Sequence, residues 1–323
     1  MKSFNLQWHI THRCNLRCSH CYQDDYSAFG QRETLAQTLR HYDGFLKEYD
    51  FRGFLTVTGG EPLLHPDLFW LLGSARELGI KTAVLTNGTL LDLYTARRLS
   101  RLGVDYVQVS LDGTRDVHDS IRGRGSFDAA VNGIRALTAF GIYTDVSFTV
   151  QRANLGELKP LARLCRRLGV DKLWFDRVIL PAAEDRNGLV PSGAEYAALC
   201  REAAALNRRG RISCARALQF IPCARQEVYR CSAGDSLLAL LADGSVMPCR
   251  RLPIKVGDIR SGSLSEIYRD SPVLRELRSQ PVPGECRGCR YAEACHGGAR
   301  CAAFAKTGRF DARDPDCGAL LVN

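Results

Sequence analysis

The first 180 residues of the chain repeat one pattern, in which short apolar segments alternate with longer segments whose apolar residues recur every three or four positions. This alternation is typical of βαβ units, whose parallel strands form one sheet covered by the helices. The predicted strands span residues 5–11, 53–58, 81–86, 105–111, 144–150 and 172–180, and the predicted helices span 34–49, 67–78, 90–101, 126–140 and 154–168. Six strands joined in this way predict an α/β protein with a partial (β/α)6 barrel.

Glycine positions support the predicted helix ends. Gly79, Gly103, Gly141 and Gly169 each follow a predicted helix, where glycine readily adopts the left-handed conformation that ends it. In barrels of parallel strands, functional residues gather at the carboxyl ends of the strands, where the βα loops emerge. We therefore expect the unusual motifs that follow the predicted strands to share one site.

Fourteen cysteines among 323 residues are the most informative feature of the composition. The amino terminus lacks the continuous apolar segment and cleavage site of a secretory signal, so we expect a cytoplasmic protein in a reducing compartment. Because disulfides rarely persist there, the cysteines are expected to bind metal. No apolar segment has the length of a membrane span, since the longest, at 237–242, ends at Asp243 and Gly244.

The formal net charge of +9 indicates an acidic partner, such as a peptide, a nucleic acid or an anionic cofactor. The basic residues are spread along the chain and do not form one cluster. A nucleic-acid partner is therefore not expected.

A different pattern begins after residue 180. An alanine-rich segment at 194–208 predicts one more helix, and Asp243-Gly244 predicts a hairpin between 237–241 and 245–247. Because the remainder of the chain has few core-forming residues, we expect metal to stabilise it. We place a boundary near residue 210, which gives domains at 1–210 and 211–323. The second domain contains the cysteines Cys214, Cys223, Cys231, Cys249, Cys286, Cys289, Cys295, Cys301 and Cys317.

The spacing Cys14-x3-Cys18-x2-Cys21 follows the first predicted strand. Three thiolates within eight residues can bind three corners of a cubane iron–sulfur cluster and leave the fourth iron open. Zinc is the competing metal, but a structural zinc site needs a fourth ligand, for which His12 or His20 would have to serve. A third interpretation is that the three cysteines bind no metal.

This cysteine loop, with Tyr22 directly after it, resembles the defining motif of the radical S-adenosylmethionine superfamily. The resemblance implies that Cys14, Cys18 and Cys21 bind a 4Fe-4S cluster. It further implies that the open iron chelates the amino and carboxylate groups of S-adenosylmethionine, with Tyr22 beside the adenine.

The sequence after the second strand, Gly59-Gly60-Glu61-Pro62, is similar to the GGE motif of the same superfamily. The resemblance implies that the backbone of this motif receives the amino group of the cofactor. Glycines permit such an approach, because no side chain stands between the main chain and a ligand. An ordinary Gly-Gly turn is the alternative, and the position one βα unit after the cysteine loop favours the motif.

Polar residues also end the third and fourth strands, at the places where the superfamily binds the ribose and carboxylate of the cofactor. Asn87 ends the third strand, and Ser110 and Asp112 end the fourth; their sequences are also those of ordinary turns. Arg122 follows, and a guanidinium is suited to a bidentate bond with the carboxylate of the cofactor. An ion pair with Asp119 is the alternative for Arg122.

The cysteines of the second half resemble a SPASM domain, in which they bind auxiliary 4Fe-4S clusters. The resemblance assigns Cys231 and Cys249 to an inner cluster. The predicted fold is therefore a partial (β/α)6 TIM-like barrel with a C-terminal cysteine-rich SPASM domain. The ligands assigned to the outer cluster are Cys286, Cys289, Cys295 and Cys317.

One position departs from the SPASM pattern. The family has a cysteine four residues after Cys295, but this chain has Ala299 there and a cysteine two residues later, Cys301. We expect the inner cluster to use Cys301 together with Cys223 or Cys214; an open iron, or no inner cluster, are the alternatives. A zinc-ribbon tail is the competing interpretation of the whole segment.

The resemblance implies a reaction as well as a fold. One electron, delivered by a flavodoxin- or ferredoxin-type donor, cleaves S-adenosylmethionine to methionine and a 5′-deoxyadenosyl radical, which abstracts hydrogen from the substrate. The protein positions the reactants and excludes water, while the cofactor carries the chemistry.

SPASM proteins most often modify ribosomally made peptides, so a side-chain crosslink, thioether or epimer is the expected product. The first strand begins at residue 5, which leaves no room for an N-terminal peptide-recognition domain; a separate protein or the SPASM surface would recruit the peptide. Tailoring of a small molecule or tetrapyrrole is the alternative. Arg250 argues against the sulfatase-maturing branch, which has an acidic residue there. A non-enzymatic iron–sulfur or zinc protein for electron transfer would leave the Gly59-Gly60-Glu61 motif unexplained.

Overall fold

The computed structural model describes residues 2–180, 185, 188–207, 211–214, 230–279 and 281–317. Strands and helices alternate through the first 177 residues, as the sequence pattern predicts. The strands are β1 (Ser3–His9), β2 (Arg52–Thr58), β3 (Lys81–Thr86), β4 (Tyr106–Ser110), β5 (Thr144–Val150), β6 (Lys172–Arg177), β7 (Ile212–Cys214), β8 (Leu237–Leu240), β9 (Ser245–Met247) and β10 (Gly257–Asp258). The helices are α1 (Arg32–Glu48), α2 (Leu68–Glu77), α3 (Leu93–Leu102), α4 (Arg115–Arg122), α5 (Ser126–Ala139), α6 (Leu158–Arg167), α7 (Gly193–Leu206), α8 (Leu264–Asp270), α9 (Pro272–Ser279), α10 (Ala292–Cys295) and α11 (Arg300–Thr307).

Within the described ranges, ten strands form one sheet, in the order β10-β9-β8-β1-β2-β3-β4-β5-β6-β7. Strands β1 to β6 are parallel and adjacent in chain order, which confirms the α/β class and the arrangement of the predicted barrel. The carboxyl ends of all six therefore meet at one edge of the sheet.

The sheet is larger than the six predicted strands. Strand β7 adds to β6 in parallel, and β8 adds to β1 in parallel on the other side. Strands β8 and β9 form the predicted antiparallel hairpin. Because β7 and β8 follow residue 210 in the chain, the sheet continues across the domain boundary that we propose there.

Large apolar side chains of β1 and α1 hold the sheet against its helices. Phe4 is fully buried and packs edge-to-face on Phe45 and Tyr268, with ring centroids 4.7 and 5.7 Å apart. Each such ring contributes about 1.5–3 kcal/mol by burial. The hydroxyl of Tyr42 lies 2.8 Å from the carbonyl oxygen of Phe4 and 3.0 Å from that of Phe54. This hydroxyl therefore joins helix α1 to both β1 and β2.

Helix ends follow the glycine signals. Gly79, Gly103, Gly141 and Gly169 all have positive φ, between 63° and 73°. Helix α4 was missed by the sequence analysis, because its eight residues contain few apolar side chains. In the part of the chain that the structure describes, no helix is long and apolar enough to cross a membrane.

Candidate active site

The predicted cofactor residues lie at the carboxyl edge of the parallel strands. The loop with Cys14, Cys18 and Cys21 follows β1, and its cysteines are half-buried or exposed. The amide of Ser19 donates to the carbonyl of Ile121 at 2.9 Å, which fixes this loop against α4. The loop is thus bound to the element that follows the fourth strand.

The glycines after β2 are required by close packing against the end of β1. A Cβ atom on Gly59 would collide with the carbonyl oxygen of Thr11, and one on Gly60 would lie 2.5 Å from the carbonyl oxygen of His12. The amide of Gly60 donates to Thr11 at 2.8 Å. The turn therefore positions the start of the cysteine loop, in addition to the backbone role that the resemblance implies.

Glu61 is buried after the end of β2, and donors at the end of β3 engage its carboxylate. Thr86 Oγ1 donates to it at 2.7 Å and the amide of Asn87 at 2.8 Å. Burial raises the pKa of Glu61 to about 7, and these hydrogen bonds only partly offset that effect. The side chain therefore joins the ends of β2 and β3.

Asn87 extends from the end of β3 to the cysteine loop. Its side-chain amide donates to Asn15 Oδ1 at 2.9 Å and lies 3.9 Å from the sulfur of Cys14. Ser110, the last residue of β4, is half-buried at the same edge. The structure therefore places Asn87 beside the first cysteine and Ser110 at the same carboxyl edge of the sheet.

Arg122 and Asp112 form a buried ion pair, with 2.6 Å between Arg122 Nε and Asp112 Oδ2. Arg122 Nη1 lies 3.8 Å from the sulfur of Cys18. Burial opposes ionisation of Asp112, but Arg122, His20 and hydrogen bonds outweigh it and hold the pKa of Asp112 below its ordinary value. Arg122 thus presents positive charge to the cysteine loop.

This pairing bears on two interpretations of the sequence. Arg122 does not pair with Asp119, whose carboxylate instead accepts the amides of Gly125 and Phe127 at the start of α5. The Asp112 carboxylate, expected to bond the ribose, also accepts the amide of Thr149 at 2.8 Å. Asp112 is therefore engaged by the protein itself and positions Arg122.

The chemistry of the cysteine loop fits a cluster. Burial raises the pKa of Cys14 and of Cys18, so these thiols keep their protons until a bound cation displaces them. Asn87 and Arg122 supply donors to the two sulfurs. Among the described residues, no three His, Cys, Asp or Glu side chains are gathered around a point that would hold a single metal ion. Cubane ligation instead spreads its ligands over the corners of the cluster.

The four cysteines assigned to the outer cluster line one small cavity of about 20 Å³. Gly297 and Gly298 line it as well, so main chain surrounds part of the space. This donor set fits an iron–sulfur cluster with four thiolate ligands. The cysteines concerned are Cys286, Cys289, Cys295 and Cys317.

The cysteines expected at the inner cluster, Cys231, Cys249 and Cys301, are all buried. Beside them lies Arg300, also buried, whose Nη2 has no hydrogen-bond partner among the described residues. Burial lowers the pKa of Arg300, and negative charge on Cys231 and Cys295 opposes that effect. A buried guanidinium that has no carboxylate partner in the described part of the chain fits neighbouring anionic clusters.

Two other cysteines are expected as alternative ligands of the inner cluster. Cys223 lies outside the described residues, and Cys214 is described only as the last residue of β7. At the position that lacks the family's cysteine, the amide of Ala299 donates to Asp314 Oδ2 at 3.0 Å. The full ligand set of the inner cluster therefore stays a prediction.

The fold and these sites are those of an iron–sulfur enzyme that uses S-adenosylmethionine. The family model for the radical SAM superfamily matches residues 8–165, and that for the SPASM iron–sulfur cluster-binding domain matches residues 231–290. The chain belongs to the radical SAM superfamily and carries a SPASM domain. Its cofactors are 4Fe-4S clusters and S-adenosylmethionine.

Three curated relatives match almost the whole chain. The pre-heme d1 synthase of Dinoroseobacter shibae is 30% identical over 96% of this chain and 85% of its own length. The AdoMet-dependent heme synthase of Methanosarcina barkeri is 28% identical over 97% and 95% of the two chains. The mycofactocin maturase MftC of Mycobacterium ulcerans is 29% identical over 97% of this chain and 87% of its own length. The fold is similar to that of anSMEcpe with bound AdoMet and Cp18Cys peptide, with a TM-score of 0.80 at 19% identity over 98% of this chain and 94% of that one.

Sequence reasoning missed the contacts that join the two halves of the chain. Arg251 pairs with Asp176 at the end of β6, and Arg250 lies over the ring of Tyr22 at 4.1 Å. Arg177, also at the end of β6, pairs with Asp314 near the carboxyl terminus. These partners are far apart in the sequence, so no local pattern predicts them.

Proposed function

We propose that this protein is a peptide maturase, which forms a crosslink, thioether or epimer in a ribosomally made peptide. The observation that carries this proposal is a cavity of about 430 Å³ at the carboxyl end of β6, where the barrel meets helix α11. It is large enough for several side chains of a substrate. Its lining carries both charges, because Arg152, Arg177 and Lys306 lie there together with Asp185 and Asp316. A lining of this kind suits a polar peptide segment.

The basic net charge and the curated maturase support the same substrate class. The mycofactocin maturase MftC is similar over 87% of its own length. A separate recognition protein is proposed to recruit the peptide, and a flavodoxin- or ferredoxin-type protein to supply electrons. We place the reaction in the cytoplasm.

The proposed roles of the residues follow from their positions. Cys14, Cys18 and Cys21 would hold the cluster that binds S-adenosylmethionine. When bound and reduced, this cofactor supplies a 5′-deoxyadenosyl radical for hydrogen abstraction. The proposed cofactor contacts are Tyr22, the main chain of Gly59 and Gly60, Asn87, Ser110 and Arg122. Glu61 and Asp112 hold the strand ends and Arg122 in place.

Anaerobic reconstitution with iron and sulfide tests the first step. The wild type should bind iron and form 5′-deoxyadenosine from S-adenosylmethionine and dithionite. A variant with Cys14, Cys18 and Cys21 replaced by Ala should lose about four irons and all 5′-deoxyadenosine formation. A Cys165→Ala variant is the matched control, because Cys165 is buried inside helix α6 and has no proposed ligand role.

A tetrapyrrole substrate is the second candidate, favoured by the similarity to the two heme-type synthases. Mass spectrometry of the loaded enzyme with peptides encoded near its gene, and with propionate-bearing tetrapyrroles, separates the candidates. A peptide product with a changed mass, or with deuterium incorporated from solvent, supports the maturase. If the tetrapyrrole is modified and the peptides are not, the maturase proposal is wrong and the tetrapyrrole is the substrate.

A further inference from the structure

Arg250 connects the two cysteine-bearing halves of the molecule. It directly follows Cys249, and its guanidinium carbon lies 4.1 Å from the ring centroid of Tyr22. Tyr22 in turn directly follows Cys21 of the first cysteine loop. The guanidinium is therefore held at the mouth of the barrel, beside the loop proposed to bind the cofactor.

The charge of Arg250 is not compensated. The side chain is half-buried, yet it has neither a carboxylate within 4 Å nor a hydrogen-bond partner in the part of the chain that is described. Its neighbour Arg251 pairs with Asp176, and Arg122 pairs with Asp112. Arg250 thus differs from Arg251 and Arg122, because its donors are available to a ligand.

The described groups closest to Arg250 are the ring of Tyr22 and the imidazole of His9, with Cys21 and Cys249 flanking them. His9, at the end of β1, is buried, and burial followed by the charge of Arg250 lowers the pKa of His9 to about 3, so this imidazole adds no second positive charge at physiological pH. Tyr22 is 50% exposed, so the ring beneath the guanidinium faces an open space. An anion entering from solvent can therefore reach Arg250.

We propose that Arg250 determines specificity by binding a carboxylate of the substrate. Its planar fork of N–H donors matches a carboxylate in two parallel hydrogen bonds, while Tyr22 supports its flat face. The proposal rests on the proposed function and narrows the substrate to carboxylate-bearing molecules. The carboxylate has two sources: an acidic residue or the carboxyl terminus of a peptide, or a propionate of a tetrapyrrole.

Two probe pairs on the reconstituted enzyme test the proposal and distinguish the sources. One pair is N-acetyl-trialanine and its C-terminal amide, and the other is mesoporphyrin and its dimethyl ester. Equilibrium dialysis is measured for the wild type, Arg250→Gln and Arg250→Lys. The matched control is Arg98→Gln, because Arg98 also lies over an aromatic ring, that of Phe69, but on the exposed side of helix α3.

The wild type and R98Q should bind at least one free acid and discriminate against its neutral partner. R250Q should bind that acid roughly 10- to 100-fold more weakly, with R250K intermediate. The probe pair whose free acid binds identifies the source of the carboxylate, a peptide or a tetrapyrrole. Phenylglyoxal labelling of the wild type, mapped by mass spectrometry, should show Arg250 protected by the bound acid and Arg98 unprotected.

Equal affinity of wild type and R250Q for both acids, or no binding of either acid to the wild type, would overturn the proposal. Weaker binding of S-adenosylmethionine by R250Q, with unchanged binding of the acids, would assign the guanidinium to the cofactor and overturn it as well. Failure of the proposed function would give a different result: the wild type would form no 5′-deoxyadenosine, or it would leave the peptides unmodified.

Discussion

Glu61 shows how a motif residue can be explained by hydrogen bonds and burial. Its carboxylate is fully buried and joins two strand ends, and burial raises its pKa to about 7. A raised carboxyl pKa means that the folded state retains a proton that the unfolded state has lost. The stability that Glu61 contributes to the folded state is therefore fully present below pH 4.5, its ordinary pKa. This contribution is lost as the pH rises towards 7.

Glu61→Gln isolates this titration. Between pH 4.5 and 7 the wild type should lose about 3 kcal/mol of unfolding free energy that E61Q does not lose. Urea unfolding at several pH values measures the two slopes. E61Q is also destabilised by the same amount at every pH, because an amide cannot accept hydrogen bonds from all the donors around Glu61. The comparison therefore uses the slope of unfolding free energy against pH. Parallel slopes would show that Glu61 does not titrate in this range.

Replacement of Arg300 tests whether auxiliary clusters lie beside this side chain. Its buried charge has no carboxylate partner among the described residues and would stabilise the reduced, more anionic state of a cluster bound nearby. Arg300→Met should therefore shift auxiliary midpoint potentials in the negative direction, as followed by electron paramagnetic resonance, with Arg300→Lys intermediate. Arg287→Met is the control, because Arg287 is exposed beside Cys286 and water screens its charge. Equal potentials in R300M and R287M would contradict this placement.

At the level of elements, the sequence predicted what is local and repeated. The order of β1 to β6 and the glycine-ended helices follow from periodicity and backbone freedom. The joining of β8 to β1 was not predictable, because Leu237–Leu240 is buried on both sides and its apolar residues do not indicate a neighbour. Strand β7 has only three residues, too few for a period to be visible.

The turn after β2 gives a prediction at this scale. Gly60→Ala places a Cβ atom against the carbonyl oxygens of Arg13 and His12, and neither main-chain atom can move without displacing the cysteine loop. G60A should lower the melting temperature and the iron content of the Cys14 site. Gly44→Ala is the matched control: it lies inside helix α1 with nothing within 4 Å, so it should stabilise the protein by about 0.5–1 kcal/mol.

Iron analysis and thermal melting of G60A and G44A decide between a local and a general effect. Loss of stability without loss of iron in G60A would show that the turn does not position the cysteine loop.

Considered as a whole, the molecule is joined by ion pairs between the barrel and the C-terminal segment. The cysteine ligands are visible in the sequence because their spacing is short, whereas the pairing of Arg177 with Asp314 spans 137 positions. Both side chains are buried, with 2.8 Å between Arg177 Nη2 and Asp314 Oδ1. Asp314 also accepts the amide of Ala299, and its own amide donates to Gly297 at the outer cysteine cavity.

This arrangement predicts that the barrel supports the outer cluster. Arg177→Met leaves Asp314 buried without its partner, which should cost about 3–5 kcal/mol of unfolding free energy and lower the iron bound by the outer site. Adding Asp314→Asn removes the unpaired charge and should recover part of the stability, because the amide still accepts from Ala299. Arg260→Met breaks the pair with Asp258 and should cost far less, because the guanidinium of Arg260 is exposed and water screens its charge. Denaturation and iron analysis measure both effects, and full iron content in R177M would show that the outer site forms independently of the barrel.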